Sequence, residues 1–368
     1  MREYTLVFLV AAAVTYLLTP IARRVAIRTG TMAQPRDRDV HAIPTPRLGG
    51  VAMYGGVVAA FLVARRLPTL GKTFDGSSED TALLVAGGLI CLLGAVDDRW
   101  GLDALTKLAG QSLAAGVMVI LGLQLLYLPI PGSDGTFILD KELAVVFTVV
   151  LSLVMVNSIN FIDGLDGLAA GVVAIAAGAF FVFSYQLAVE QRALVARPAT
   201  LMSAVLVGVC VGFLPHNFNP ARIFMGDAGS MLIGLMLAAT STSGIGSIAF
   251  DQLDDREQAA FFVPLIVPAI ILAVPFIDLV LAVVRRMRAG RPVFTPDKEH
   301  LHHRLLEYGH SHTRAVLILY FWSALIAFGG VAVSFARPAV VLGAVVLLAL
   351  VALLSMSLPR LLANHRAS

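Results

Sequence analysis

Eleven stretches of this chain are apolar and long enough to be candidate membrane helices, near residues 3–20, 49–67, 81–96, 104–122, 142–157, 167–187, 199–214, 229–247, 259–284, 315–336 and 339–358. A helix needs about 20 apolar residues to cross a bilayer core, and lipid offers no partner to a bare backbone, so only helices or a closed barrel can span. The run lengths fit helices. The expected fold is an all-α integral membrane protein of about eleven transmembrane helices, a single domain over residues 1–368. Composition agrees: 58% of residues are hydrophobic and 14% charged, against about 25% charged in ordinary soluble domains. These figures exclude a soluble enzyme, a disordered chain and a nucleic-acid-binding domain. The first run sits where a signal peptide would, but Arg23, Arg24 and Arg28 follow it, whereas a cleavable signal carries its positive charge in front. It reads as a retained span. Cys91 and Cys210 fall inside apolar runs and read as small buried hydrophobes.

Successive connections alternate between the two faces of a membrane. Eighteen of the 27 lysines and arginines fall on the odd-numbered connections and the C-terminal tail, which the positive-inside bias assigns to the cytoplasm. The N-terminus is then outside and the C-terminus inside. The same odd connections carry the chemistry: HAIPTPRLGG (41–50), VDDRWGLDALTK (96–107), NSINFIDGLDG (157–167), HNFNPARIFMGDAGS (216–230) and PDKEHLHHRL (296–305). The even connections read as ordinary linkers. One polar site at the cytoplasmic mouth of a helix bundle follows from this parity.

Clustered carboxylates repel and raise one another's pKa unless a cation neutralises them. Asp97, Asp98, Asp163, Asp166 and Asp227, with Asn160 as a neutral oxygen donor, form a hard-oxygen set suited to Mg²⁺ or Mn²⁺. Asn160, Asp163 and Asp166 recur every three residues, the spacing of one side of a helix. Any one aspartate read alone is a solvated connector or helix cap; the adjacent pair and the DGLDG run are harder to explain that way. His300, His302 and His303 stand among basic residues without a cysteine, which favours phosphate or sugar contact over a transition metal. His310 and His312 are expected at the surface. Phe224, three residues before Asp227, is a candidate stacking platform, and Arg47 and Arg222 read equally as phosphate ligands or as positive-inside residues. Asp278, in the ninth run, must face the bundle interior or the site, since a carboxylate in lipid is costly.

In order and spacing, HAIPTPRLGG, the DD pair, NSINFIDGLDGLAAG, FNPARIFMGDAGS and KEHLHHRLLEYG resemble the polyprenyl-phosphate N-acetylhexosamine-1-phosphate transferases, membrane enzymes that start cell-envelope glycan synthesis. HLHH and PRLGG look like the branch that uses UDP-GlcNAc, whereas the phospho-N-acetylmuramoyl-pentapeptide branch has three consecutive histidines. The resemblance implies transfer of GlcNAc-1-phosphate from UDP-GlcNAc to a polyprenyl phosphate, undecaprenyl or decaprenyl, with release of UMP. It implies that Asp227, with Asn160, binds Mg²⁺, Mn²⁺ being the other candidate. Asp97 and Asp98 would hold or deprotonate the lipid phosphate, and Lys107 would pair with it. Phe224 would stack on uracil while Asp166 accepts its imide hydrogen, and Asp163 would assist catalysis. His300, His302, His303 and Arg304 would contact diphosphate and sugar. Direct attack by the anionic acceptor is favoured over a covalent aspartyl intermediate. The expected partners are UDP-GlcNAc, the polyprenyl phosphate, membrane lipid and a second copy of the chain, with no nucleic acid. The rival from another class is a secondary transporter, but transporters gather ionisable groups near the midplane, often with an internal repeat. Here they lie on one face, and no repeat is seen.

Overall fold

The computed structural model describes residues 1–33, 44–74, 78–129, 136–189, 197–245, 287–288, 311–337 and 339–351. Within them the helices are α1 (Arg2–Thr29), α2 (Gly49–Ala64), α3 (Glu79–Trp100), α4 (Ala104–Ile120), α5 (Lys141–Ile162), α6 (Leu168–Val189), α7 (Arg197–Asn217), α8 (Gly226–Ile245), α9 (His312–Phe335) and α10 (Ala339–Val351). They fall on ten of the eleven apolar runs. The ninth run, with Asp278, lies outside the described residues. By length and composition, α1, α3, α5, α6, α7 and α9 are each able to cross a membrane, and α2, α4 and α10 are shorter apolar helices. The chain is a helical membrane protein.

Helix ends are set by local chemistry. The Asp103 carboxylate accepts the N–H groups of Leu105 and Thr106 at the start of α4, and Asp140 accepts that of Leu143 at the start of α5. Gly30, with φ of 70°, closes α1 in the left-handed conformation. Inside the bundle, hydroxyls bond back along their own helix: Thr148 to the Ala144 carbonyl, Ser203 to Ala199, Thr240 to Met236. Lipid would leave those hydroxyls unsatisfied.

Helices α7 and α8 form the centre. Helix α8 is buried along nearly its whole described length and packs on α3 and α5; α1 packs on α2 and α7, and α6 on α7 and α9. Outer faces stay apolar and exposed, as with Leu9, Leu17 and Ile21 of α1 and Leu342 and Leu347 of α10. Small residues let the inner helices approach closely. At Gly94 of α3 a methyl group would lie 2.3 Å from the backbone nitrogen of Ala228, so glycine there sets how near α3 comes to the start of α8.

Two short hairpins complete the fold. Strands β1 (Met32–Ala33) and β2 (Thr45–Pro46) pair antiparallel, Met32 opposite Pro46 and Ala33 opposite Thr45. They lead the PRLGG segment back from the end of α1. Strands β3 (Tyr127–Pro129) and β4 (Thr136–Ile138) pair the same way between α4 and α5.

Candidate active site

The site forms where the C-terminal ends of α3, α5 and α7 meet the N-terminal ends of α4 and α8. Asp97 and Asp98 are on the last turn of α3, not in a loop, because that helix runs on to Trp100. The two carboxylates diverge. Asp98, with a fully buried side chain, accepts the backbone N–H groups of Asp227 at 3.0 Å and Ala228 at 3.1 Å. It thereby caps α8, where orphan amides and the positive end of the helix dipole both favour a carboxylate. Asp97 faces the other way: its Oδ1 accepts the Leu102 N–H at 2.6 Å and its Oδ2 the Lys107 ammonium at 2.8 Å.

Lys107, in the first turn of α4, donates equally to Asp227 Oδ2 at 2.8 Å. One ammonium therefore bridges the carboxylates of α3 and α8. Asn160 of α5 donates its Nδ2 to Asp227 Oδ1 and to Ser230 Oγ, the latter at 2.8 Å. Asp227 is thus approached from α4 and α5 while its own backbone is fixed from α3.

Behind this layer lies a second that the sequence reading missed. Gln111 and Asn157 exchange amide hydrogen bonds at 2.8 and 3.4 Å, and Gln111 Nε2 also donates to Met231 Sδ at 3.1 Å. Gln111 follows Lys107 by one helical turn, Asn157 precedes Asn160 by one, and Met231 follows Asp227 by one. An available signal was a glutamine inside an apolar run, where a polar side chain needs a partner.

The PRLGG segment joins by its backbone. Phe224 N–H donates to the Pro46 carbonyl at 2.8 Å, Gly49 N–H to the Phe224 carbonyl at 3.1 Å, and Gly50 N–H to the Met225 carbonyl at 2.9 Å. Leu48 takes φ of 101°, a strained value for a non-glycine residue. Arg47 beside it holds its guanidinium 3.9 Å from Asp98 Oδ1, with the side chain about one third exposed. Phe224 itself is half-buried.

Helix α5 stops at Ile162, so the expected alignment of Asn160, Asp163 and Asp166 on one helical face does not form. Asp163 is the C-cap residue and Asp166 lies in the following turn. Asp166 Oδ2 accepts the Asn219 side-chain amide at 2.9 Å and the Ala221 N–H at 3.0 Å. Its carboxylate therefore turns to the α7–α8 connection, whereas Asn160 turns to Asp227. Asp163 is held well above the ordinary carboxylate range, by burial first and then by the negative charges of Asp227 and Asp98.

The surface position expected for His312 is not observed. It is partly buried at the start of α9, and its Nε2 accepts the backbone N–H of Asp166 at 3.0 Å. The polypeptide brings α9 back against the DGLDG turn, a long-range contact that no local pattern encodes. His300, His302, His303 and Arg304 lie outside the described residues. Four of the five motif segments therefore converge, and the fifth is not described.

Among the described residues no three side chains of His, Cys, Asp or Glu form a group that could hold a metal ion by themselves. What they offer is one carboxylate with an amide beside it, the sparse oxygen set with which Mg²⁺ is held when substrate phosphates and water complete its shell.

The fold and site define a membrane-embedded helical protein with an acid-rich centre at the ends of its helices. Residues 81–245 match Glycosyl transferase family 4. The chain is 49% identical over 354 residues to the decaprenyl-phosphate N-acetylglucosaminephosphotransferase of Mycobacterium leprae, covering 94% of this chain and 89% of that protein. It is 33% identical to the probable undecaprenyl-phosphate N-acetylglucosaminyl 1-phosphate transferase of Bacillus subtilis, covering 87% and 82%. The phospho-N-acetylmuramoyl-pentapeptide-transferase of Mycobacterium bovis is 32% identical but covers 66% of this chain. The chain belongs to Glycosyl transferase family 4.

Proposed function

We propose that this chain transfers GlcNAc-1-phosphate from UDP-GlcNAc to a membrane polyprenyl phosphate, releasing UMP, and that residues 1–368 act as one transferase domain. The names and near full-length coverage of its relatives support the reaction class, and the lower coverage of the muramoyl-pentapeptide transferase supports the GlcNAc branch. The observation that carries the reading is Lys107 bridging Asp97 and Asp227 beside Asn160. It is a centre where two carboxylates share one ammonium at the ends of membrane helices, a setting suited to an anionic lipid acceptor and a soluble nucleotide once a cation is added.

In the reaction an oxygen of the lipid phosphate attacks the β-phosphorus of UDP-GlcNAc. The bond from that phosphorus to the bridging oxygen breaks, and UMP leaves with the electron pair. Phosphoryl transfer of this kind asks for positioning and charge neutralisation more than covalent chemistry, so direct attack is the simpler course. Asp227 and Asn160 would hold Mg²⁺ or Mn²⁺, which supplies neutralisation of the diphosphate. Lys107 binds the acceptor phosphate and Asp97 orients that ammonium. Asp98 acts through α8, fixing the turn from which Asp227 projects. Phe224 would stack on uracil while Asp166 accepts its imide hydrogen, Asp163 would assist catalysis, and His300, His302, His303 and Arg304 would contact diphosphate and sugar.

The motif connections face the cytoplasm, with the N-terminus outside and the C-terminus inside, as the charge asymmetry supports. A reporter fused after Ser368 that is active only outside the cell would overturn that orientation. The function is tested with purified protein, Mg²⁺, decaprenyl phosphate and a panel of UDP-sugars, following UMP release and the lipid product. UDP-GlcNAc is expected to be used and UDP-MurNAc-pentapeptide refused; muramoyl-pentapeptide on the lipid would reassign the branch.

A further inference from the structure

The DGLDG turn is gripped from two sides, and only one of them belongs to the motif segments. From the α7–α8 connection come Asn219 and the Ala221 N–H on the Asp166 carboxylate, and the Asn217 side chain, whose oxygen accepts the Gly167 N–H at 3.1 Å. The second grip comes from α9. His312 Nε2 accepts the Asp166 N–H at 3.0 Å, and two helical turns further on Tyr320 donates its hydroxyl to the Gly167 carbonyl. The Tyr320 ring lies so close to Gly171 that a methyl group there would overlap it, 1.9 Å from Cζ. Helix α9 packs on α6, the helix that this turn begins.

These contacts fall on the backbone of the turn, at the N–H of residue 166 and the C=O of residue 167. Backbone groups in so buried a place require partners, and a turn that loses them rearranges. An imidazole nitrogen that accepts a hydrogen bond carries no proton, so His312 serves with its proton on Nδ1. The aspartate between the two grips is the one assigned above to uracil.

We infer that His312 and Tyr320 are positioning residues for the nucleotide end of the donor: by holding the Asp166–Gly167 backbone from α9 they aim the Asp166 carboxylate. The inference rests on the proposed reading of Asp166 as a uridine contact. Neither side chain needs to touch substrate.

Three variants test it in the purified full-length enzyme. His312→Leu removes the acceptor and keeps bulk, Tyr320→Phe removes only the hydroxyl, and His312→Gln keeps an acceptor oxygen at a similar reach. His312→Leu and Tyr320→Phe should each raise the KM for UDP-GlcNAc about tenfold, the worth of one well-formed hydrogen bond. The inhibition constant of UMP, which carries only the uridine end, should rise in parallel, while the KM for decaprenyl phosphate stays within about twofold. His312→Gln should recover most of the loss. In an Asp166→Ala background the effect of Tyr320→Phe on UMP should vanish, because it acts through that carboxylate. If His312→Leu fails to fold, Tyr320→Phe and His312→Gln still carry the test.

Unchanged UMP inhibition in Tyr320→Phe, or equal rises in both KM values, would overturn the inference. So would a His312→Gln protein with wild-type melting that binds UMP as poorly as His312→Leu. The wild-type preparation is the control for the underlying reading: if it releases no UMP from UDP-GlcNAc, the proposed function falls, whereas a working wild type with indifferent variants defeats only the role of α9.

Discussion

Replacing Asp98 by asparagine separates two roles that an aspartate at this position could have, fixing a helix or moving a proton. Both carboxylate oxygens are committed to α8, at 3.0 and 3.1 Å from the nitrogens of Asp227 and Ala228. An amide presents one oxygen to one N–H and turns its own NH₂ against the other. The lost charge-assisted hydrogen bond costs about 1.5–3 kcal/mol, and the lost charge at the helix N-terminus about 0.3–1 kcal/mol. Removing a buried negative charge near Asp227 and Asp97 offsets part of this, so a net loss of about 1–3 kcal/mol is expected. The start of α8 then shifts, and Asp227 with it. A misplacement of about 1 Å at a reacting centre costs on the order of 10²-fold in rate. Three readouts on detergent-purified protein report it: the melting midpoint, the Mg²⁺ concentration at half-maximal rate, and the pH profile of kcat/KM. Positioning predicts a lower midpoint, a higher Mg²⁺ requirement and a lower rate with an unchanged profile. A general base predicts a loss of about 10²–10⁴-fold in which one limb of the profile disappears, with stability and Mg²⁺ requirement untouched. The second pattern would refute the assignment of Asp98 to α8.

Asp227→Asn should abolish nearly all UMP release, since the amide keeps the shape but removes the charge that offsets the cation; a wild-type rate at limiting Mg²⁺ would disprove the metal role. Lys107→Ala should raise the KM for polyprenyl phosphate more than that for UDP-GlcNAc, and the reverse order, read from initial rates with each substrate varied, would move this lysine to the diphosphate. Because Asp163 keeps its proton to unusually high pH, and a cation favours the deprotonated cluster, Mn²⁺ binding followed by paramagnetic resonance should tighten as pH rises and level off above the raised pKa. Asp163→Asn should flatten that dependence, and an unaltered slope would count against it.

The membrane helices were legible because a long apolar run needs no tertiary information: lipid is partner enough. Their ends were not. Helix α1 runs to Thr29, past the apolar run that stops near residue 20, so Arg23, Arg24 and Arg28 are on helix and not in a connection. Its 28 residues make about 42 Å of helix against a hydrocarbon core of about 30 Å, and hydropathy marks the core, not the helix. The same extension puts Asp97, Asp98 and Asn160 on helix and leaves Asp163 and Asp166 beyond one. The grouping of four motif segments followed from loop parity. Which aspartate meets which partner did not, because the choice between Lys107, the α8 amides and Asn219 is made by helix packing. His312 shows the limit: beside a polar segment it reads as surface, and only the return of α9 over the DGLDG turn gives it a buried partner.

The distribution of partners explains why so many acids can share one small region. Asp98 is compensated by helix amides, Asp97 and Asp227 by one ammonium, and Asp166 by an amide and a backbone N–H. Asp163 is held well above the ordinary carboxylate range by burial and by the charges of Asp227 and Asp98, with Arg47 opposing. Counted formally, these five carboxylates face Lys107 and Arg47, which leaves three negative charges among the described residues. Into this region a reaction of the proposed kind must bring a nucleoside diphosphate and a lipid phosphate, both anions. Coulomb repulsion between like charges at about 4 Å is about 4 kcal/mol even at an effective dielectric of 20, so such substrates cannot share the site with bare carboxylates. A divalent cation, which Asp227 and Asn160 would hold, would supply the missing positive charge. The acid-rich centre is thus matched to the charge of its substrates only when the cation arrives with them, so donor and metal should bind with positive coupling: each should lower the half-saturating concentration of the other, by the same factor.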